Sequence, residues 1–178
     1  MKIQAGSSRP FPESEGSVGR GVSDAGVFSL MLPDDAATQA LGARLARVVR
    51  PGLSVWLSGD LGAGKTTLAR GLLRELGYTG RVKSPTYTLV ELYSFSRFNL
   101  YHFDFYRFVD PDEWQEAGLR EYFNDTSLCL VEWPEKGGEL LPKPDVRVCL
   151  EIFDAGRGAR VQGLTEAGIR CIAHLPRL

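Results

Sequence analysis

From position 27 onward, short apolar runs alternate with amphipathic stretches of helical period, the order expected of an α/β sheet protein. Val27-Phe28-Ser29-Leu30 predicts a short first strand. Asp34 then offers a side-chain oxygen to open a helix. Ala36, Ala37, Leu41, Leu45, Val48 and Val49 recur close to one face of that helix until Pro51-Gly52 ends it. The apolar run 53–58 predicts a strand leading straight into a glycine-rich loop. Residues 65–76 predict a second helix, with Leu68, Leu72, Leu73 and Leu76 on its buried side and Gly77 at its C-terminal end.

Downstream, 88–93 and 98–105 predict two strands joined by a turn around 94–97. Asp110-Pro111 starts a helix that runs to Ala117 before Gly118 breaks it. Residues 128–131 form another short apolar run, closed by Glu132-Trp133-Pro134. Strands are predicted over 146–152 and 159–164, with a further one over 169–174. Residues 1–26, rich in Gly, Ser, Pro and Glu, predict a flexible extension, so the ordered domain spans 27–178. These elements make a single domain with a central sheet and flanking helices.

Composition narrows the classes. A chain of 178 residues suits one domain with a sizeable core, and 43% hydrophobic with 24% charged residues is ordinary for a soluble protein. The net charge of −1, from 21 basic and 22 acidic residues, gives no electrostatic footprint of a protein that grips nucleic acid unaided. Cys129, Cys149 and Cys171 fit neither a metal motif nor a disulfide framework. Cys129 and Cys149, inside apolar runs, read as buried reduced thiols, and a cytosolic location follows. His102 and His174 stand isolated, with no zinc motif around them. No window approaches a membrane span, and the N-terminus lacks the apolar core of a secretory leader.

The chemistry concentrates in Gly59-Asp60-Leu61-Gly62-Ala63-Gly64-Lys65-Thr66. Successive backbone N–H groups in such a loop turn inward as an anion cradle, at the positive end of the following helix. Lys65 is expected to reach the β- and γ-phosphates of ATP or GTP, Thr66 to coordinate Mg²⁺, and Thr67 to lie in the first helical turn near the α-phosphate. Chance produces the pattern in a chain of this size on the order of one per cent of the time, and the strand and helix flanks lower that further. Asp104 and Glu132 each close a predicted strand, at the end where ligands sit in open α/β sheets. Taken alone, each reads equally well as a helix cap or a surface charge. Thr86, in the polar turn Ser84-Pro85-Thr86, is a candidate γ-phosphate sensor, although such a turn is more often an ordinary loop.

Four blocks together resemble the TsaE (YjeE) family: the stretch from Ser58 to Thr67, then Val82-Lys83-Ser84-Pro85-Thr86-Tyr87-Thr88-Leu89-Val90-Glu91, then Tyr101-His102-Phe103-Asp104-Phe105-Tyr106-Arg107, then Leu130-Val131-Glu132-Trp133-Pro134. The resemblance runs in order from about Leu30 to the C-terminus. It implies a P-loop NTPase that binds ATP and Mg²⁺, hydrolyses ATP slowly, and assists threonylcarbamoylation of the adenosine beside the anticodon in tRNAs reading A-starting codons. It further implies that TsaB and TsaD are the partners, and the near-neutral charge points to tRNA being reached through them.

By the family's motifs, Gly62, Ala63, Gly64, Lys65, Thr66 and Thr67 hold the phosphates. Thr66 and Glu132 serve Mg²⁺, Asp104 takes the Walker B position, Thr86 lies in a switch I-like loop, and Trp133 adjoins the switch II-like acid. Asp35 and Gly156 are further nucleotide contacts on the same grounds. No motif supplies a cationic finger, so a low intrinsic rate is expected. A small-molecule kinase built on the same loop is the alternative; it would ordinarily carry an arginine-rich lid, and none is evident.

Overall fold

A computed structural model describes residues 26–111 and 113–175 of the chain. The flexible extension expected over 1–26 thus lies, Gly26 apart, outside the described residues, as does Asp112.

The chain builds one seven-stranded mixed sheet. Its strands are β1 (Val27–Leu32), β2 (Ser54–Ser58), β3 (Val90–Ser94), β4 (Asn99–Asp104), β5 (Ser127–Glu132), β6 (Val146–Phe153) and β7 (Gly156–Gly163). The spatial order is β1-β7-β6-β2-β5-β4-β3. β2 pairs in parallel with β5 and β6, and β5 in parallel with β4. Antiparallel pairs β3–β4, β6–β7 and β1–β7 finish the two edges. β2 is therefore central, consistent with its apolar sequence Ser-Val-Trp-Leu-Ser and with the burial of parallel strands on both faces.

Helices α1 (Asp35–Ala46), α2 (Lys65–Glu75) and α4 (Glu166–Ala173) enclose the larger core cluster, with Leu41, Leu45, Leu68, Leu72, Leu73 and Ile172 packed against Val55, Leu57, Leu100, Leu130 and Val148. A second cluster gathers Phe103, Phe105, Trp114, Leu119 and Val131 around the short helix α3 (Glu113–Glu116) and a 3₁₀ turn at Leu119–Tyr122. β4 and β5 feed both clusters because their side chains alternate: Leu100 and Leu130 lie in the first, Phe103 and Val131 in the second.

Several expectations shift in detail. Asp34 caps α1 as its position suggests, accepting from the Ala37 N–H at 2.7 Å. The helix ends at Ala46, leaving Val48 and Val49 in the turn beyond it, and Ala36 is exposed. β3 starts at Val90 rather than at 88, because Leu89 takes a left-handed conformation (φ 66°) that interrupts extended backbone. The strand expected over 169–174 is a helix. Thr165 caps it, accepting from the Gly168 N–H at 3.0 Å, and Cys171 and Ile172 face the core. Of the expected buried thiols, Cys129 is buried, whereas Cys149 is half-exposed on the alternating outer face of β6. All three cysteines are free. Among the described residues, no helix is long and apolar enough to cross a membrane.

Candidate functional site

The glycine loop leaves the C-terminal end of β2 and enters α2. Gly59 has φ 141°, and a Cβ there would lie 2.3 Å from the Leu150 carbonyl oxygen, so the strand can turn beside β6 only through glycine. Gly64 (φ 102°) is the N-cap of α2 and offers no side-chain acceptor, so the leading N–H groups of this helix have no side-chain cap. Those donors, together with the positive end of the helix, are suited to an anion. Ala63 is buried, Gly62 is exposed, and Thr66 and Thr67 are half-buried in the first turn.

Lys65 is 5% exposed and folds back over the loop, donating to the carbonyls of Gly59 (2.5 Å) and Asp60 (2.8 Å). Its ammonium lies 4.0 Å from the centre of the Trp133 ring. Burial pushes Lys65 below the ordinary lysine value, while Glu132, Glu135, Asp104 and Asp60 pull the other way. Trp133 itself is left-handed (φ 57°). That backbone costs a bulky residue ~1–2 kcal/mol, as it does at Leu89, and both strained residues border this end of the sheet.

The register of β4 and β5 sets Asp104 beside Glu132, each 2% exposed. Glu132 accepts from the Thr66 hydroxyl, at 2.9 Å through Oε1 and 3.2 Å through Oε2. Asp104 accepts at Oδ2 from Thr86 (2.7 Å) and from the Ser84 hydroxyl, and at Oδ1 from the Tyr106 N–H (2.9 Å). The structure thus brings Thr66, Glu132, Asp104 and Thr86 together at the mouth of the loop.

Asp35 and Gly156 lie on the other flank. Asp35 pairs with Arg157 at 2.8 Å, and a Cβ on Gly64 would meet the Arg157 side chain at 3.2 Å. Gly156 approaches the Leu32 carbonyl so closely that a Cβ would lie 2.6 Å from it. Three residues beyond the sequence-based candidates join the site. Ser84 shares Asp104 with Thr86; Arg157 follows Gly156 and stands opposite Leu32 in the β1–β7 register; His102, far from isolated, bonds Glu132 at 2.8 Å. The two-residue spacings Ser84 to Thr86 and His102 to Asp104 are the local signal for two of them.

Comparisons with known proteins converge on one family. The family model of the threonylcarbamoyl adenosine biosynthesis protein TsaE matches residues 32–160. A "tRNA threonylcarbamoyladenosine biosynthesis protein TsaE" of Haemophilus influenzae is 43% identical over 147 residues, covering 80% of this chain and 93% of the relative. The Bacillus subtilis protein of the same name is 39% identical over 133 residues, covering 75% of this chain and 82% of its own. Among solved structures, Bacillus subtilis YdiB superposes with a TM-score of 0.72 at 29% identity, covering 84% of this chain and 93% of that one.

Proposed function

The chain belongs to the TsaE family, and we propose that it is the ATP-binding and ATP-hydrolysing subunit for threonylcarbamoylation of the adenosine next to the anticodon, acting with TsaB and TsaD in the cytoplasm. The observation that carries the proposal is the convergence of Lys65, Thr66, Glu132, Asp104 and Thr86 at the mouth of one glycine loop.

Gly62, Ala63, Gly64, Lys65, Thr66 and Thr67 would hold the phosphates. Lys65 supports this role because its ammonium already sits on the loop, satisfied by two carbonyls that a phosphate oxygen would replace. Asp35 and Gly156, beside Gly64 and Arg157, flank the side on which the rest of the nucleotide would lie.

The residues also fit Mg²⁺. Thr66 and Glu132 are an all-oxygen pair in contact, suited to a hard cation. Among the described residues no cluster of three or more carboxylate, imidazole or thiolate side chains could cage an ion. Mg²⁺ is commonly held by one or two protein groups with the substrate phosphates supplying the rest. When bound, the ion would neutralise charge on the β- and γ-phosphates.

Asp104, fixed by Ser84, Thr86 and the Tyr106 N–H, would order the attacking water, and Thr86 would respond to the γ-phosphate. Arg157 is engaged by Asp35 and Arg107 rests on the Tyr87 ring, so neither is free to serve as a cationic finger without leaving its partner. A slow intrinsic rate, raised by partner proteins, follows. The near-neutral net charge favours tRNA being reached through those partners.

The test is steady-state ATP hydrolysis by the chain alone and with TsaB and TsaD. The proposal requires a slow basal rate that the pair accelerates, and its loss in Lys65→Ala. A fast rate indifferent to the pair would refute it; phosphate appearing on a metabolite instead of water would mark a kinase.

A further inference from the structure

Glu132 has a second buried partner. His102 on β4 is fully buried (0% exposed), and its Nε2 lies 2.8 Å from Oε1 of Glu132. A carboxylate oxygen only accepts, so the imidazole proton of this bond sits on Nε2. The other ring nitrogen, Nδ1, is buried without a hydrogen-bond partner. An apolar side chain here would leave no such unpaired atom, so packing gives no reason for an imidazole. The reason lies in the Nε2–H.

Strand register explains how the imidazole reaches its target. His102 stands opposite Leu130, two residues before Glu132 on the neighbouring parallel strand, and shares its face of β4 with Asp104. Oε1 of Glu132 thereby takes two donors, the Thr66 hydroxyl and His102, whereas Oε2 has only the longer contact to Thr66.

We propose that His102 is a positioning residue for the metal site: its Nε2–H holds Oε1 of Glu132, leaving Oε2 and the Thr66 hydroxyl directed to the ion that accompanies the nucleotide. This inference rests on the reading of Thr66 and Glu132 as the metal-holding pair. Without the imidazole donor, Oε1 of Glu132 keeps only the Thr66 hydroxyl as its side-chain partner, and the carboxylate can turn away from the orientation that presents Oε2 to the ion. Metal binding weakens. The triphosphate itself, gripped by loop N–H groups and Lys65, does not depend on His102.

The experiment uses Mn²⁺ as a paramagnetic probe, titrated into the ADP complex of the full chain and followed by electron paramagnetic resonance. ADP affinity is measured separately in EDTA. His102→Leu is expected to weaken Mn²⁺ binding by roughly 10–100-fold, the range seen when a group that orients a metal ligand is removed. Metal-free ADP affinity stays unchanged, and His102→Gln, whose amide N–H can reach the carboxylate, recovers most of the loss. His102→Leu binding Mn²⁺ as the native chain does would overturn the inference.

Glu132→Gln separates the two levels. If it alone weakens Mn²⁺ binding, the metal pair stands and the role of His102 falls; if it binds Mn²⁺ normally, the metal pair itself is wrong. Should the His102 variants fail to fold, ¹⁵N spectra of the native imidazole decide. The account requires a proton on Nε2 and a shift of the Nε2 signal when Mg²⁺ joins the ADP complex. An Nε2 without a proton, or signals blind to Mg²⁺, would contradict it.

Discussion

The Thr66 hydroxyl donates to Glu132 at 2.9 Å, joining the first turn of α2 to the tip of β5 across 66 residues of chain. The contact ties the phosphate loop to the strand-end acid. If both groups serve one ion, they act as a unit rather than as independent contributors.

Their substitutions should therefore be non-additive. Thr66→Ala and Glu132→Gln are each expected to lower ATP turnover by on the order of 10²–10³, the cost of removing one preorganised electrostatic contact. The double variant should cost little more than the worse single one. A double-mutant cycle on turnover checks this; full additivity would mean that the two groups do not share an ion.

Close packing of α1 on α2 depends on two glycines. A Cβ on Gly42 would lie 2.1 Å from the Leu68 carbonyl oxygen, and one on Gly71 would lie 2.0 Å from that of Gln39. Helix propensity alone would favour alanine at each by ~1 kcal/mol. Here the clash is with backbone and wins, so Gly42→Ala and Gly71→Ala should each lower stability by roughly 1–3 kcal/mol, read from urea unfolding midpoints.

Trp114 is fully buried in the aromatic cluster, and its indole N–H donates to the Gly137 carbonyl at 2.9 Å. Trp114→Ala should cost about 3–5 kcal/mol by opening a cavity and stranding that carbonyl. Trp114→Phe keeps the ring but not the donor, so thermal unfolding should place it between the alanine variant and the native chain.

Thiol reactivity should follow burial. Desolvation pushes Cys129 from 9.0 up to about 12 and Cys171 from 9.0 up to about 11, whereas Cys149, also raised, is half-exposed. Alkylation of the native protein near pH 8, mapped by mass spectrometry, should mark Cys149 first. Because the folded values of Cys129 and Cys171 are raised, their contribution to stability is full below about pH 9 and is lost as pH climbs toward about 12. Unfolding midpoints should fall across that window, and should fall less in Cys129→Ala.

Much of this is legible in the sequence where chemistry is local. The strand, glycine loop and helix around Lys65 announce themselves because three glycines and a lysine at fixed spacing follow an apolar run. Asp104 and Glu132 are legible as strand ends. What is not legible is who stands beside whom. His102 reaches Glu132 only because β5 lies next to β4, and Arg157 reaches Asp35 only because β7 pairs with β1. Strand order is not written in local periodicity. The misread segment 169–174 fails for a related reason: its few apolar residues fit period 2 as readily as 3.6, and the Thr165 cap decides for helix.

The central claim is tested most directly by reconstituting tRNA threonylcarbamoylation from TsaB, TsaD, substrate tRNA, the threonylcarbamoyl donor and ATP, with and without this chain. The account predicts sustained modification only when the chain and ATP are both present, and its loss when Lys65→Ala replaces the native protein. Modification that proceeds equally well without the chain, or undiminished with Lys65→Ala, would contradict it.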